Sequence, residues 1–307
     1  NGIYERLLEN TGCQIIEGRA KLLDAHTVKV VNTVFTAEKI LIATGGWPFV
    51  PSFPGSEHVL TSNEIFDLDE QPNRLLIIGG GYIAVEFAGI FNGLGSEVTQ
   101  VYRGTLFLRG FDDDIRTHAA NEIPKTGVKL RFNTDVVKVE KEKNEYLVHL
   151  SDGSTRKFDT ILCATGRKPN FTDLGLEATN ITIGSDDKIV VDQDFRTDEP
   201  SVFALGDVIQ GPELTPIALA QGMHFARSQF GNSDGNLDCG FIPTAVFCQP
   251  PIGTVGYTET AAKEKFGEIK VFKSSFRPMK NTISGREQIT LIKLVVEAKT
   301  DLVLGAH

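Results

Sequence analysis

The stretch from Arg74 to Tyr102 constrains the fold of this chain more than any other. Arg74-Leu75-Leu76-Ile77-Ile78 is apolar at four consecutive positions and runs directly into Gly79-Gly80-Gly81. From Tyr82 to Leu94 the apolar residues Ile83, Phe87, Ile90, Phe91 and Leu94 then follow helical spacing. An uninterrupted apolar strand is typical of a parallel sheet covered on both faces, and the spacing after it is that of a packed helix. Gly95 ends the helix, and Val98–Tyr102 reads as the next strand. The segment therefore predicts a βαβ unit of about 30 residues, and with it an α/β fold class.

Within that unit, Gly79-x-Gly81-x-x-Ala84 fits the GxGxxG/A pattern of dinucleotide-binding turns. The first glycine permits a tight turn, the second lets a pyrophosphate approach the backbone, and the small third residue lets helix and strand pack closely. The phosphates then lie against the N–H groups that open the helix. The end of the second strand reports on the nucleotide. An acid there accepts hydrogen bonds from the ribose 2′-OH and selects NAD. This chain has Val101-Tyr102-Arg103 instead, with Arg109 six positions on. Two guanidinium groups can hold a 2′-phosphate through charge-assisted bidentate bonds, so NADPH is expected rather than NADH.

Around this unit the chain reads as follows. Residues 1–10 suit the end of a helix, Gln14–Ala20 a strand, and His26–Phe35 an alternating strand region. Lys39-Ile40-Leu41-Ile42-Ala43-Thr44-Gly45-Gly46 is a short apolar strand entering a glycine turn, followed by a connection rich in proline at Pro48, Pro51 and Pro54. A helix fits Asp112–Lys125. Short strands fit Val128–Phe132, Val136–Lys141, Tyr146–Leu150 and Arg156–Phe158, with Asp152-Gly153 as a hairpin turn. Thr160–Arg167 repeats the earlier strand-and-glycine pattern, which suggests two related nucleotide-binding domains. Val202–Asp207 is a strand ending in Gly206-Asp207. Its carboxylate can accept hydrogen bonds from a ribityl or ribose hydroxyl, or can serve as a turn acid. A helix follows over Ile217–Phe230. Beyond Phe241 the pattern becomes that of an α+β domain, with a helix at Glu259–Phe266 and antiparallel strands at Ile269–Phe276 and Ile289–Glu297.

Composition narrows the class of function. Forty acidic against 31 basic residues give a formal charge of -9, which disfavours a general nucleic-acid or anionic-membrane binder. No apolar run reaches the roughly 18 residues of a membrane span, and the first residues carry no signal-peptide pattern. Cys13, Cys163, Cys239 and Cys248 are scattered and form no CxxC pair, so neither a metal site nor a disulfide scaffold is expected. They read as buried or free thiols of a reducing compartment. The chain starts at Asn1 and stops after Leu304-Gly305-Ala306-His307, and reads as a fragment of a longer protein lacking both ends.

Together these segments resemble the flavoprotein disulfide reductases, and among them the glutathione reductases of bacterial and plant type. The resemblance rests on Ile40 to Gly46, Gly79 to Glu86, Tyr102-Arg103, and Leu108-Arg109-Gly110-Phe111-Asp112. It continues through Ala164-Thr165-Gly166-Arg167-Lys168-Pro169-Asn170, Ala204-Leu205-Gly206-Asp207, Leu214-Thr215-Pro216, Gln249 to Gly256 and Phe276 to Asn281. It implies two Rossmann-like three-layer FAD/NAD(P)-binding domains plus the start of an α+β dimerisation domain. The FAD portions are expected at residues 1–71 and 169–238, the NADPH domain at 72–168 and the interface domain at 239–307. The implied activity is NADPH-dependent reduction of glutathione disulfide through FAD and a redox-active disulfide. The implied assembly is a homodimer, in the cytoplasm or a reducing organelle such as a plastid, with no nucleic-acid or membrane partner.

By the same resemblance, Gly79, Gly80, Gly81, Tyr82, Ile83, Ala84 and Glu86, with Arg103, Arg109 and Gly166, form the NADPH site. Tyr82 matches the tyrosine that covers the nicotinamide pocket, and Glu86 the glutamate that pairs with a lysine beside the flavin. These two are the expected catalytic residues. Asp207 and Thr215 match FAD contacts, and Ala20 a position whose backbone lies at the adenine of FAD. Ala43, Thr44, Gly45, Arg167, Gly206 and Leu214 complete the expected cofactor-binding set.

The chain departs from the family pattern in several places. The redox-active CxxxxC pair and the first GxGxxG are absent and are expected upstream of Asn1, and the acid–base His-Glu pair is expected beyond His307. Met223 stands where some glutathione reductases have a glutathione-contacting arginine. Trypanothione reductase shares the two arginines. Dihydrolipoamide dehydrogenase shares the layout but normally has an acid where Arg103 stands. The third reading is a non-catalytic nucleotide-binding module.

Overall fold

A computed structural model describes residues 2–231, 237–238 and 240–307. Asn1 and Cys239, both singled out in the sequence, lie outside the described residues. The chain divides into two compact units, Asn1–Trp47 with Arg167–Leu237, and Pro48–Gly166 with Asp238–His307.

The second unit is built on a four-stranded parallel sheet in the order Thr160–Cys163, Arg74–Ile78, Glu97–Tyr102, Lys129–Phe132. The continuous apolar run is explained by its two coverings. Leu75 and Ile77 point into one core, shared with Ala84, Val85, Ala88 and Phe91 of helix Tyr82–Gly93 and with Ala119 of helix Asp113–Glu122. Leu76 and Ile78 point into another, where Val136, Val139, Val148, Leu150 and Phe158 belong to an antiparallel meander. The layers are thus helices, parallel sheet and meander. The helix predicted over 112–125 is shorter than expected. Asp112 caps it, and after Glu122 the chain tightens into a 3₁₀ turn at Ile123–Thr126, because Pro124 has no N–H for the helical ladder.

Residues 48–71, assigned by sequence to the FAD portion, pack within this second unit. Leu60 bridges Leu162 at the sheet edge, exchanging backbone bonds with Ile161 and Cys163 at 2.8 Å each, and Ile65 is buried in the helix-side core. The C-terminal part adds a five-stranded sheet, Thr244–Val246, Ile252–Gly256, Val303–Ala306, Thr290–Glu297 and Ile269–Phe276 in spatial order, with helix Glu259–Phe266 as predicted. This sheet is fastened to helix Asp113–Glu122 by Lys293. Its ammonium is 1% exposed and reaches Asp112 at 2.8 Å, Asp114 at 2.5 Å and Glu259 at 2.8 Å.

The first unit joins an antiparallel sheet, Ala20–Asp24, Thr27–Val30 and Thr33–Thr36, to a short parallel pair, Ile40–Ile42 beside Val202–Ala204. Its core comprises Leu22, Ile42, Ile189, Phe203, Val208 and Phe225, the last on helix Thr215–Phe230. The strand expected over Gln14–Ala20 does not form. Residues 14–19 are exposed and pair with no strand among the described residues; the ladder starts only at Ala20. Apolar residues alone do not make a strand without a neighbour to take its hydrogen bonds. The region 26–35 is not one alternating strand but a hairpin turning at Val31, whose φ is +53°. Among the described residues no helix is long and apolar enough to cross a membrane.

Candidate functional site

The expected nucleotide-binding residues sort by unit. Gly79–Ala84, Glu86, Arg103, Arg109 and Gly166 all lie in the second unit. Ala20, Ala43, Thr44, Gly45, Arg167, Gly206, Asp207, Leu214 and Thr215 all lie in the first.

In the second unit the sheet order reverses direction between Arg74–Ile78 and Thr160–Cys163. Ligands of open parallel sheets settle at the carboxyl ends of strands at such a point. Both strands end there in glycine turns, Gly79–Gly81 and Ala164–Gly166. Gly79 has φ +143°, and an added Cβ would lie 2.2 Å from the Ala164 carbonyl oxygen, so the two turns fit only with glycine at this position. Gly81 is the opposite case. A Cβ there would meet nothing within 4 Å, and no side chain caps the helix it opens. The backbone there is approachable, and a helix start without a side-chain cap suits an anion. The turn is braced from behind, since Gln100 Nε2 donates to the Gly79 carbonyl at 3.0 Å and the Leu108 N–H donates to the Gly80 carbonyl at 2.7 Å.

Arg103 and Arg109 are exposed and flank Phe107 and Leu108, which are 0% and 1% exposed. Many other cations of this unit are paired, among them Arg74 with Asp159 at 2.5 Å and Lys125 with Glu122 at 2.7 Å. Among the described residues, Arg103 and Arg109 have no carboxylate within ion-pair distance. An open glycine, an uncapped helix start and two unpaired guanidinium groups fit a dinucleotide that carries a 2′-phosphate. Tyr82 is half-buried at the helix start and packs on the core behind the turn. Ile83 packs beside it, and Ala84 is 0% exposed, as close helix–strand packing requires. Glu86 is half-buried one turn on, and its Oε1 accepts the Phe247 N–H at 2.9 Å.

In the first unit the parallel pair brings distant turns to one edge. The Leu205 N–H donates to the Ile42 carbonyl at 3.1 Å, so Ala43-Thr44-Gly45 and Gly206-Asp207 leave the same end of the pair. Arg167 Nη2 donates to the Gly46 carbonyl at 2.6 Å. A Cβ on Gly46 would lie 3.2 Å from Arg167 Nε and 3.3 Å from Asp207 Oδ2, which brings a cation and an anion together over the bare Cα of Gly46. Gln221 holds the Gly206 N–H at 2.8 Å, and Lys188 holds the Asp207 carbonyl at 2.6 Å while pairing with Glu213 at 2.7 Å. Asn170 ties the Thr44 and Gly45 carbonyls together at 3.3 and 2.8 Å. Leu214 and Thr215 open the helix that follows, again without a side-chain cap. A carboxylate and uncapped N–H groups at the ends of two parallel strands suit the hydroxyl and phosphate groups of FAD. Ala20 stands apart in the antiparallel sheet, paired with Val30.

Sequence reasoning passed over Gly46, Asn170 as a brace, Lys188, Gln221 and Lys293. Of these only Lys293 left a trace, a single cation inside the apolar strand Thr290–Glu297.

The two buried cysteines among the described residues are poor nucleophiles. Burial raises the Cys163 thiol and pushes Cys248 up to about 12, so both are neutral thiols near pH 7, and Cys13 is exposed with no thiol partner.

The pyridine nucleotide-disulphide oxidoreductase family matches residues 1–222, and the dimerisation domain of the same family matches residues 242–307. A glutathione reductase of Burkholderia cepacia is 42% identical over 306 residues, covering 100% of this chain and 68% of its own length. A chloroplastic/mitochondrial glutathione reductase of Pisum sativum is 44% identical, again over the whole chain but only 56% of its own length. Among solved structures, the HOCl-induced flavoprotein disulfide reductase RclA of Escherichia coli is 31% identical with a TM-score of 0.89, over 99% of this chain and 71% of that one.

Proposed function

The chain belongs to the pyridine nucleotide-disulphide oxidoreductase family, and from that premise we propose that the whole protein reduces glutathione disulfide with NADPH through FAD, as a homodimer. The chain spans between about half and seven-tenths of the length of the relatives it matches. The observation that carries the choice of nucleotide is the pair of exposed arginines, Arg103 and Arg109, without an ion-pair partner among the described residues, in the loop tied to the Gly79–Gly81 turn.

The residues divide the work as follows. The open backbone at Gly81 and the uncapped start of helix Tyr82–Gly93 hold the pyrophosphate. Arg103 and Arg109 grip the 2′-phosphate through charge-assisted bonds. Tyr82 covers the nicotinamide position from the helix start. Glu86, held by the Phe247 N–H at one oxygen, pairs with a cation beside the flavin. In the first unit Asp207 accepts hydrogen bonds from flavin-side hydroxyls, with Arg167 beside it and the uncapped turn at Leu214-Thr215 toward phosphate. When bound, FAD supplies hydride acceptance and passes the electrons to a disulfide. Among the described residues, neither buried thiol has the thiolate character that attack on a disulfide needs. The attacking pair belongs to the CxxxxC motif that the family carries outside this segment.

Steady-state assays of the full-length protein with NADPH and NADH, against glutathione disulfide, trypanothione disulfide and lipoamide, test the reading. NADPH with glutathione disulfide is expected to give the highest kcat/KM. Arg103→Glu should raise KM for NADPH about ten- to a hundredfold, since each charge-assisted contact is worth roughly 1.5–3 kcal/mol, and leave KM for NADH nearly unchanged. Equal effects on both nucleotides would refute the phosphate assignment, and a preference for either other disulfide would refute the substrate.

A further inference from the structure

We infer that Arg116 is a positioning residue for nucleotide choice: its guanidinium clamps the irregular loop that presents Arg103 and Arg109, and so fixes the grip on the 2′-phosphate. The inference rests on the reading of those two arginines given above.

The loop runs from the end of strand Glu97–Tyr102 to the helix cap Asp112 and contains no helix or strand. It is anchored at three kinds of point. Phe107 and Leu108 are plugged into the helix-side core, and Phe107 stacks on Phe132 with ring centroids 5.4 Å apart. The Leu108 N–H donates to the Gly80 carbonyl, and the Asn133 N–H donates to the Gly104 carbonyl at 3.0 Å. The third anchor is Arg116, one turn into helix Asp113–Glu122. Its Nη2 donates to the Leu106 carbonyl at 2.7 Å and its Nε to the Phe107 carbonyl at 2.9 Å. Its Nη1 is balanced by Asp113 at 2.6 Å. The side chain is 18% exposed.

Two features make this a clamp on the loop rather than a third phosphate ligand. The charge is paired with Asp113, and the two other bonds point at loop carbonyls. A planar fork meets two successive carbonyls and a carboxylate in one fixed geometry, whereas the rotatable ammonium of a lysine presents a single point of charge that sets no such orientation. The clamp also has strain to oppose. Leu108, between the clamped carbonyls and Arg109, has φ +54°, an uncommon conformation for a side chain of this kind that persists when its surroundings hold it. Released from Arg116, the loop can relax, and Arg103 and Arg109 then have to be ordered when the nucleotide binds. That cost falls on a ligand that uses the arginines and not on one that uses only the glycine turn.

The test is calorimetric titration of the full-length FAD-loaded protein with NADP⁺ and, separately, NAD⁺. Arg116→Ala should weaken NADP⁺ about tenfold (about 1.4 kcal/mol) while NAD⁺ changes less than twofold. Arg116→Lys should weaken NADP⁺ by an intermediate factor, and it decides the question if the alanine variant does not fold. Adding Arg116→Ala to Arg103→Glu should cost less than Arg116→Ala costs alone, because one of the two groups being positioned is gone. Wild-type NADP⁺ affinity in a folded Arg116 variant, or equal losses for the two nucleotides, overturns the inference. If Arg103→Glu itself leaves the NADP⁺ preference intact, it is the 2′-phosphate reading that fails.

Discussion

The two units solve the same task with different amounts of local sequence. In the second, strand Arg74–Ile78, turn Gly79–Gly81 and helix Tyr82–Gly93 follow one another without a gap, and Leu75, Leu76 and Ile77 are all 0% exposed. In the first, the turn at Ala43–Gly46 meets Arg167 and Gly206-Asp207 only because two short strands lie side by side, and Leu41 in that pair is 39% exposed. A contiguous strand–turn–helix buries its own core and carries its own anion site, whereas a site collected from distant segments depends on every strand that holds them.

The largest effect is expected at the internal brace of the second unit. Lys293→Met leaves Asp112 buried without its cation, and loss of one partner of such a pair costs about 3–5 kcal/mol. Urea unfolding followed by NADP⁺ binding should show that loss, while fluorescence of Trp47, in the first unit, shifts much less. Loss of both signals together would mean that the units do not unfold separately.

Next in size is the contrast between two glycines of one turn. Gly79→Ala adds a Cβ 2.2 Å from a carbonyl at φ +143°, a strain of about 1–3 kcal/mol or more, and should destabilise the second unit. Gly81→Ala should leave stability within about 0.5 kcal/mol yet weaken NADP⁺, because its Cβ projects into the space a phosphate needs. If the two variants behave alike, the open face at Gly81 is not the nucleotide face.

Acid provides a third probe. Burial raises the Asp112 carboxyl, but the Glu259 N–H and the Lys293 ammonium outweigh it and hold the group below its ordinary 3.8. Asp114 is also held below 3.8, against burial, by Lys273 and Lys293, and Glu259 is held below 4.5 by Lys263 and Lys293. Carboxyls lowered in this way stabilise the fold above their unfolded values, and that contribution is lost as pH falls through the folded ones. Stability of the second unit should therefore drop below about pH 4, and Lys293→Met should flatten that drop. An unchanged acid profile in the variant would remove the cluster as its cause.

The smallest effect is expected in the first unit. Asp207→Ala should weaken FAD retention about tenfold, the value of one hydrogen bond to a charged group, without moving NADP⁺ affinity. A change in NADP⁺ binding of the same size would contradict the assignment of Asp207 to the flavin side.

The sequence by itself determined whatever depends on neighbours along the chain. Four consecutive apolar residues, three glycines and helically spaced apolar residues defined the βαβ unit, and Arg103 in place of an acid pointed to the nucleotide. Helix Glu259–Phe266 and strand Ile269–Phe276 were also readable to the residue. Tertiary structure decided the rest. Gln14–Ala20 has strand-like residues and no partner strand, and residues 48–71 look like a linker yet lend Leu60 to the sheet edge. Arg116 and Lys293 are ordinary charges in sequence. Each acquires its role only where folding brings carbonyls or carboxylates from other elements into a place with little water, where a cation must be paired and an unpaired carbonyl is costly.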